Sequence, residues 1–181
     1  MTGLRPQSIG VYDLPTHFRD AAPDAVTVSQ YFKQHGYHAA GLGKIYHTGH
    51  GNRDDERSWS EKSWRPRASQ YADQSNLANR KRDSKGRLRG PATESAEVAD
   101  QTYSDGLIAS EAIKRLQGYH QQSDQPFFLA VGFLKPHLPF VAPKKYWDLY
   151  DADSLPMPKV GVPPNQAPSY ATTSFGELRN Y

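Results

Sequence analysis

Cysteine is absent from this 181-residue chain. That excludes disulfides and thiolate metal sites, while reducing and oxidising compartments both stay open. Apolar residues are scarce: 36% of the chain is hydrophobic, mean hydropathy is −0.79, and no stretch approaches the ~20 apolar residues of a membrane span. Charge of one sign is not in excess either. The chain has 22 basic and 19 acidic residues and a net charge of +3, which argues against a dedicated nucleic-acid binder. The opening Met1-Thr2-Gly3-Leu4-Arg5-Pro6 lacks the apolar run of a signal peptide. There is no internal repeat and no obvious nucleophile. The length suits about one domain with a real core, but 14 glycines and 14 prolines require long loops.

What is present is a pair of polar clusters, each behind a short apolar run. Ala39-Ala40-Gly41-Leu42-Gly43 leads into Lys44-Ile45-Tyr46-His47, and Phe127-Phe128-Leu129-Ala130-Val131-Gly132-Phe133 leads into Lys135-Pro136-His137. Runs of that length bounded by Gly or Pro read as buried strands, and ligands of open α/β sheets gather beyond the carboxyl ends of such strands. Two strands can thus carry Lys44, His47 and His137 to one rim. A fixed cation and two imidazoles suit an anionic oxygen ester, since imidazole gives or takes a proton near neutral pH.

Between these clusters the pattern is uneven. Residues 1 to 25, with Pro6, Gly10, Pro15 and Pro23, read as an extended lead-in. Thr27-Val28-Ser29-Gln30 fits a capping box, Val28, Tyr31 and Phe32 make one apolar face, and Gly36 supplies the stop. A helix, a tight turn and the strand at about 38 to 43 form an αβ unit. From about 48 to 91 the chain is a polar, loop-rich insertion anchored only by Trp59, Trp64 and Tyr71; it is a functional loop or partly disordered. A helix over about 104 to 118 carries Leu107, Ile108, Ile113 and Leu116. Pro143 can open a short helix with Tyr146, Trp147, Leu149 and Tyr150, and after about 151 the chain is Pro-rich.

Other clusters have plainer readings. His35, His38, His47 and His50 repeat an H-x-x-H spacing, but the first pair straddles Gly36 and the second has no carboxylate or Cys at ligand spacing, so no metal site is expected. Arg80, Lys81, Arg82, Lys85, Arg87 and Arg89 could hold a polyanion, although the run has no interleaved aromatic, and a solvated loop is the simpler reading. Asp54-Asp55-Glu56 is expected to face solvent.

Thr2-Gly3-Leu4-Arg5-Pro6, Gly43-Lys44-Ile45-Tyr46-His47, Ser58-Trp59-Ser60, Pro126-Phe127-Phe128-Leu129-Ala130-Val131-Gly132 and Lys135-Pro136-His137-Leu138-Pro139-Phe140 together resemble the type I sulfatases, and among them the iduronate-2-sulfatase branch with its bacterial relatives. The similarity is collinear from residue 2 to about 155. It implies an α/β fold: part of an alkaline-phosphatase-like sulfatase domain, a mostly parallel sheet flanked by helices. It also implies sulfate ester hydrolysis with a formylglycine hydrate as nucleophile and a calcium ion. By the same resemblance Lys44 would neutralise charge near the nucleophile and the sulfate oxygens, His47 would be the base that expels sulfate, and His137 would bind sulfate and protonate the leaving alkoxide. The Cys-x-Pro-x-Arg segment and the calcium-binding aspartates of the family have no counterpart here. Residues 1–181 are therefore expected to be the central part of one catalytic domain, incomplete at both ends, with the calcium ligands and formylglycine elsewhere and little activity alone. The implied substrate is a sulfated small molecule or glycan, with no nucleic-acid or membrane partner. A periplasmic, extracellular or lysosomal setting is family habit only. Phosphate or phosphonate monoester hydrolysis on the same scaffold, and a non-catalytic polyanion-binding module using residues 80–89, stay open as alternatives.

Overall fold

The computed structural model describes residues 1–83, 86–121, 124–157, 159, 161–171 and 176–181. In chain order the helices are α1 (Pro6–Ile9), α2 (Phe18–Ala21), α3 (Val28–Gln34), α4 (Gln74–Ala78), α5 (Ser104–Gln121) and α6 (Lys144–Trp147). The strands are β1 (His38–Gly43), β2 (Lys81–Arg82), β3 (Leu88–Arg89), β4 (Thr93–Ala96), β5 (Phe127–Gly132) and β6 (Phe140–Pro143). The fold is α/β, and the chain divides into two units: Met1–Ala68 with Ser104–Leu134, and Ser69–Tyr103 with Lys135–Tyr181.

In the first unit β1 and β5 pair in parallel, with His38 beside Phe127 at one end and Gly43 beside Gly132 at the other. Trp64 bridges Leu42 on the other side of β1: its amide donates to the Gly41 carbonyl (2.9 Å) and its carbonyl accepts from the Gly43 amide (2.8 Å). β1 is therefore an interior strand, buried over nearly its whole length, as expected of a parallel strand covered on both faces. Leu42, Ile108 and Ala112 form the apolar core, with Trp64 and Leu129 against it. Ile108 and Ala112 stand at i and i+4 on α5, so they share the face that meets the sheet.

Several expected faces are not the buried ones. On α5, Ile113 and Leu116 are exposed, because among the described residues only one stripe of the helix has a sheet to cover. On α3, Val28 and Tyr31 are exposed while Ser29 and Gln30 are buried. The cause is a polar cluster under the helix. Thr27 caps it by accepting from the Gln30 amide (3.1 Å), but the Gln30 side chain turns away from the cap and accepts from Arg19, which leaves half a capping box. Only Phe32 keeps an apolar role, stacked 4.8 Å from Phe128. Gly36 ends the helix at φ +85°, a backbone state that glycine adopts without strain. The lead-in is not simply extended: it contains α1 and α2 and contributes the buried His17 and Arg19.

In the second unit β4 pairs in parallel with β6. Tyr71, Tyr103 and Val141 make its core, with Ala72, Leu77 and Val98 packed on them. Glu94 sits inside, accepting from the Tyr103 hydroxyl (2.6 Å), the Ala72 and Asp73 amides (2.7 and 3.2 Å) and the Asn76 amide (2.7 Å). The residues expected to form one insertion divide between the units, and their aromatics are anchors in both: Trp59 and Tyr71 are buried. α6 stops at Trp147, so Leu149 and Tyr150 lie past its end and are exposed. Among the described residues no helix is long and apolar enough to cross a membrane.

Candidate active site

The parallel register sets two glycines side by side where the polar clusters begin. Gly43 has φ +71°, and a Cβ on it would lie 2.1 Å from the Gly132 carbonyl oxygen; a Cβ on Gly132 would lie 2.0 Å from the Lys44 carbonyl oxygen. Side chains are excluded at both positions, and the backbones close to a 2.8 Å bond from the Lys44 amide to the Gly132 carbonyl. The Lys44 side chain then emerges exposed, and its ammonium has no hydrogen bond or ion pair among the described residues.

Tyr46 holds the segment that follows. It is buried, and its hydroxyl is 2.7 Å from Ser58 Oγ. Ser58 donates its one proton to Asp55, so Tyr46 and Thr27, whose hydroxyl is 2.6 Å away, donate to Ser58. Asp55, expected at the surface, is instead buried. It accepts from Arg19 Nε at 3.0 Å and Nη2 at 2.8 Å, and this two-pronged geometry brings the carboxylate inside. Burial pushes the Asp55 carboxyl upward, but the bonds from Arg19 and Ser58 outweigh it and hold the group below its ordinary value. Asp54 also has partners, the Trp59 indole N–H (3.3 Å) and the Ser63 hydroxyl.

His47 is half-buried. Its Nε2 lies 3.2 Å from His50 Nδ1, and the two rings stack at 5.4 Å. The turn between them closes through paired Gly49 and Asn52 backbone bonds (2.9 and 3.0 Å) and the Asn52 amide, which donates to the Leu14 carbonyl (2.9 Å). Lys44 and His47 thus both lie on the segment that leaves β1. His137 belongs to the second unit, where its Nδ1 is 2.7 Å from the Leu138 carbonyl and its Nε2 is 3.3 Å from Glu177. Lys135 donates to the His137 carbonyl (3.1 Å) and to that of Pro139.

The other histidines point elsewhere: His35 Nδ1 lies 2.8 Å from the Tyr31 carbonyl oxygen, while His38 faces Glu61 at 3.9 Å. Among the described residues no group of three or more His, Cys, Asp or Glu is placed to hold a metal. Calcium takes six to eight oxygens. Lys44, His47 and His137 offer nitrogen, so these residues do not fit it. The basic run folds as a β2–β3 hairpin around Asp83, which accepts from Arg87 (2.9 Å) and Arg89 (3.3 Å); Lys85 lies outside the described residues. The support under Tyr46 escaped sequence reasoning. Its one local signal was an apolar residue set between Lys44 and His47.

The chain is similar to known proteins along nearly its whole length. The family model "Sulfatase" matches residues 1–174. The chain is 31% identical to iduronate 2-sulfatase of Mus musculus over 182 residues, covering 99% of the chain and 33% of the relative. With iduronate 2-sulfatase of Homo sapiens it shares 33% identity, over 91% of the chain and 31% of the relative. With choline-sulfatase of Rhizobium meliloti it shares 28%, over 91% and 33%. The chain spans about a third of the length of these curated relatives.

Proposed function

The chain belongs to the sulfatase family, and from that premise we propose that it is the central part of the catalytic domain of a sulfuric ester hydrolase, of the iduronate-2-sulfatase kind, acting on a sulfated glycan or small molecule. The observation that carries the reading is the sulfatase family match over residues 1–174, and the Gly43–Gly132 register, which sends Lys44 and His47 off the end of β1, supports it. On this reading Lys44 offsets charge on the sulfate oxygens, His47 moves a proton at the reacting group, and His137 donates to the alkoxide oxygen as its bond to sulfur breaks. A formylglycine nucleophile and calcium are part of the same proposal. This chain has no cysteine, and among the described residues no cluster is placed to hold the ion; on this reading both belong to a longer polypeptide, and no step is derived through them.

The test uses the full-length protein that contains these residues, assayed on sulfate and phosphate monoesters. Sulfate esters should be preferred, and Lys44→Ala, His47→Ala and His137→Ala should each lower kcat/KM by about 100-fold or more. A preference for phosphate or phosphonate esters would move the reaction to that class. Near wild-type turnover in both histidine variants would remove the assignment.

A further inference from the structure

An open groove of about 1160 Å³ in the first unit is lined by Thr48, Trp64, Arg65 and Arg67 among others. Trp64 runs parallel to β1, so the chain after it leaves past the same strand end as Lys44. Arg65 confirms the adjacency by donating to the hydroxyl of Thr48, the residue after His47. Pro66 separates the two arginines and favours extended backbone at Arg65, and in extended chain residues two apart share a side. Both arginines are exposed.

The charges of this groove do not cancel. Arg53 is taken by Asp20 (2.7 Å) and Arg115 by Glu111 (2.8 Å) and Glu61. Asp54 is occupied by Trp59 and Ser63. Lys62, Arg65 and Arg67 have no carboxylate partner among the described residues, and against these three cations two lining carboxylates there, Asp54 and Glu56, lack a cation. A guanidinium fork matches a planar carboxylate or the oxygens of a sulfate, and two of them side by side make a stronger anion site than dispersed lysines would.

We propose that Arg65 and Arg67 form a second anion subsite, taking a carboxylate or sulfate carried by the same ligand whose ester reaches Lys44 and His47. The proposal rests on the functional reading above and narrows it: the substrate carries a second negative group beside the ester that is cleaved.

The experiment compares three substrates on the full-length protein: 4-nitrophenyl sulfate with one anion, a uronic acid O-sulfate whose second anion is a carboxylate, and a disulfated hexosamine whose second anion is a sulfate. In the Arg65→Gln/Arg67→Gln variant, kcat/KM for the substrate with the matching second anion, divided by that for 4-nitrophenyl sulfate, should fall by roughly 10- to 100-fold through KM. Whichever dianionic substrate shows the fall identifies the group. Ratios that change less than about threefold for both, including a uniform loss on all three substrates, would overturn the subsite and leave Arg65 a support for the 47–50 turn. If the wild-type protein hydrolyses no sulfate ester, the functional reading fails by itself. The subsite is then read by titration calorimetry with the uronic acid O-sulfate and the disulfated hexosamine: weaker binding of either in the double variant sustains it, and unchanged binding of both overturns it.

Discussion

Removing the Asp55 carboxylate tests whether a buried polar cluster holds the segment from Lys44 to His47. Arg19 is 9% exposed and Asp55 3%. Asp55→Ala would leave the guanidinium in place with Gln30 and the Pro23 and Ala25 carbonyls but without its counter-charge. Stranding one partner of a buried pair costs about 3–5 kcal/mol, a large share of the roughly 5–15 kcal/mol of a folded domain. With a urea dependence of about 2 kcal/mol/M, the midpoint should fall by roughly 1.5–2.5 M. Tryptophan fluorescence reports it, since Trp59 is buried and its indole bonds the neighbouring Asp54. Arg19→Met with Asp55→Leu should recover most of the loss, because removing both charges removes the desolvation cost with the attraction. A midpoint drop below about 0.5 M in Asp55→Ala, or a double variant as unstable as the single one, would refute a dry pair. The pH dependence has a fixed sign. The folded carboxyl titrates below its ordinary value near 3.8, so its contribution is complete above that value and fades as pH falls through the folded one.

The glycine pair and the second unit give further expectations. Gly132→Ala puts a methyl 2.0 Å from the Lys44 carbonyl oxygen, so the backbone must shift by about 1 Å; we expect a loss of about 1–3 kcal/mol in thermal melts and at least a 10-fold fall in sulfate ester turnover by the full-length protein, and a wild-type melt would contradict the close approach. Burial pushes Glu94 up, but the bonds from Tyr103, Asn76 and the Ala72 and Asp73 amides outweigh it and hold it below its ordinary 4.5, so near-UV circular dichroism of the second unit should be lost as pH drops from about that value. Tyr103 is pushed well above 10 by burial and by Glu94, so the same unit should weaken as pH rises past 10, and Glu94→Gln should blunt both limbs while lowering stability at pH 7.

Strand positions were legible in the residues because their signal is local. An apolar run between a helix-ending glycine and a polar exit allows little except His38–Gly43, and the run that follows Pro126 allows Phe127–Gly132. Faces were less legible. The pattern of Val28, Tyr31 and Phe32 presumes an apolar partner for α3, and the partner is a cluster drawn from Arg19, Asp55 and Ser58. Arg19 and Asp55 are separated by 36 residues, which no periodicity encodes. The Asp54-Asp55-Glu56 run misled for the same reason: charge density in a polar stretch predicts exposure until one long-range guanidinium captures one member. Of the candidate site, the Lys44 and His47 placement followed from strand logic, whereas the clamp on Tyr46 depended on tertiary partners.

That clamp explains how a chain with so little apolar material can hold a rim still. Tyr46 sits between exposed Lys44 and half-buried His47, with Phe18 stacked 6.0 Å away on it and Trp59 edge-on at 5.9 Å. Apolar packing alone resists sliding weakly, because neighbouring registers bury similar area. The bond to Ser58 is directional, and Ser58 is itself held by Asp55, so moving Tyr46 would leave a buried hydroxyl without a partner, a loss of about 1–3 kcal/mol. Below the rim, Trp59 packs on Gly41, where a Cβ would lie 2.9 Å from the ring, and ties the same cluster to β1. Position is thus fixed from two sides, by backbone contact at Gly43 and Gly132 and by hydrogen bonds beneath Tyr46. An oxyanion contact placed by such a frame loses little on binding to reorganisation, which is the condition for electrostatic stabilisation to be effective.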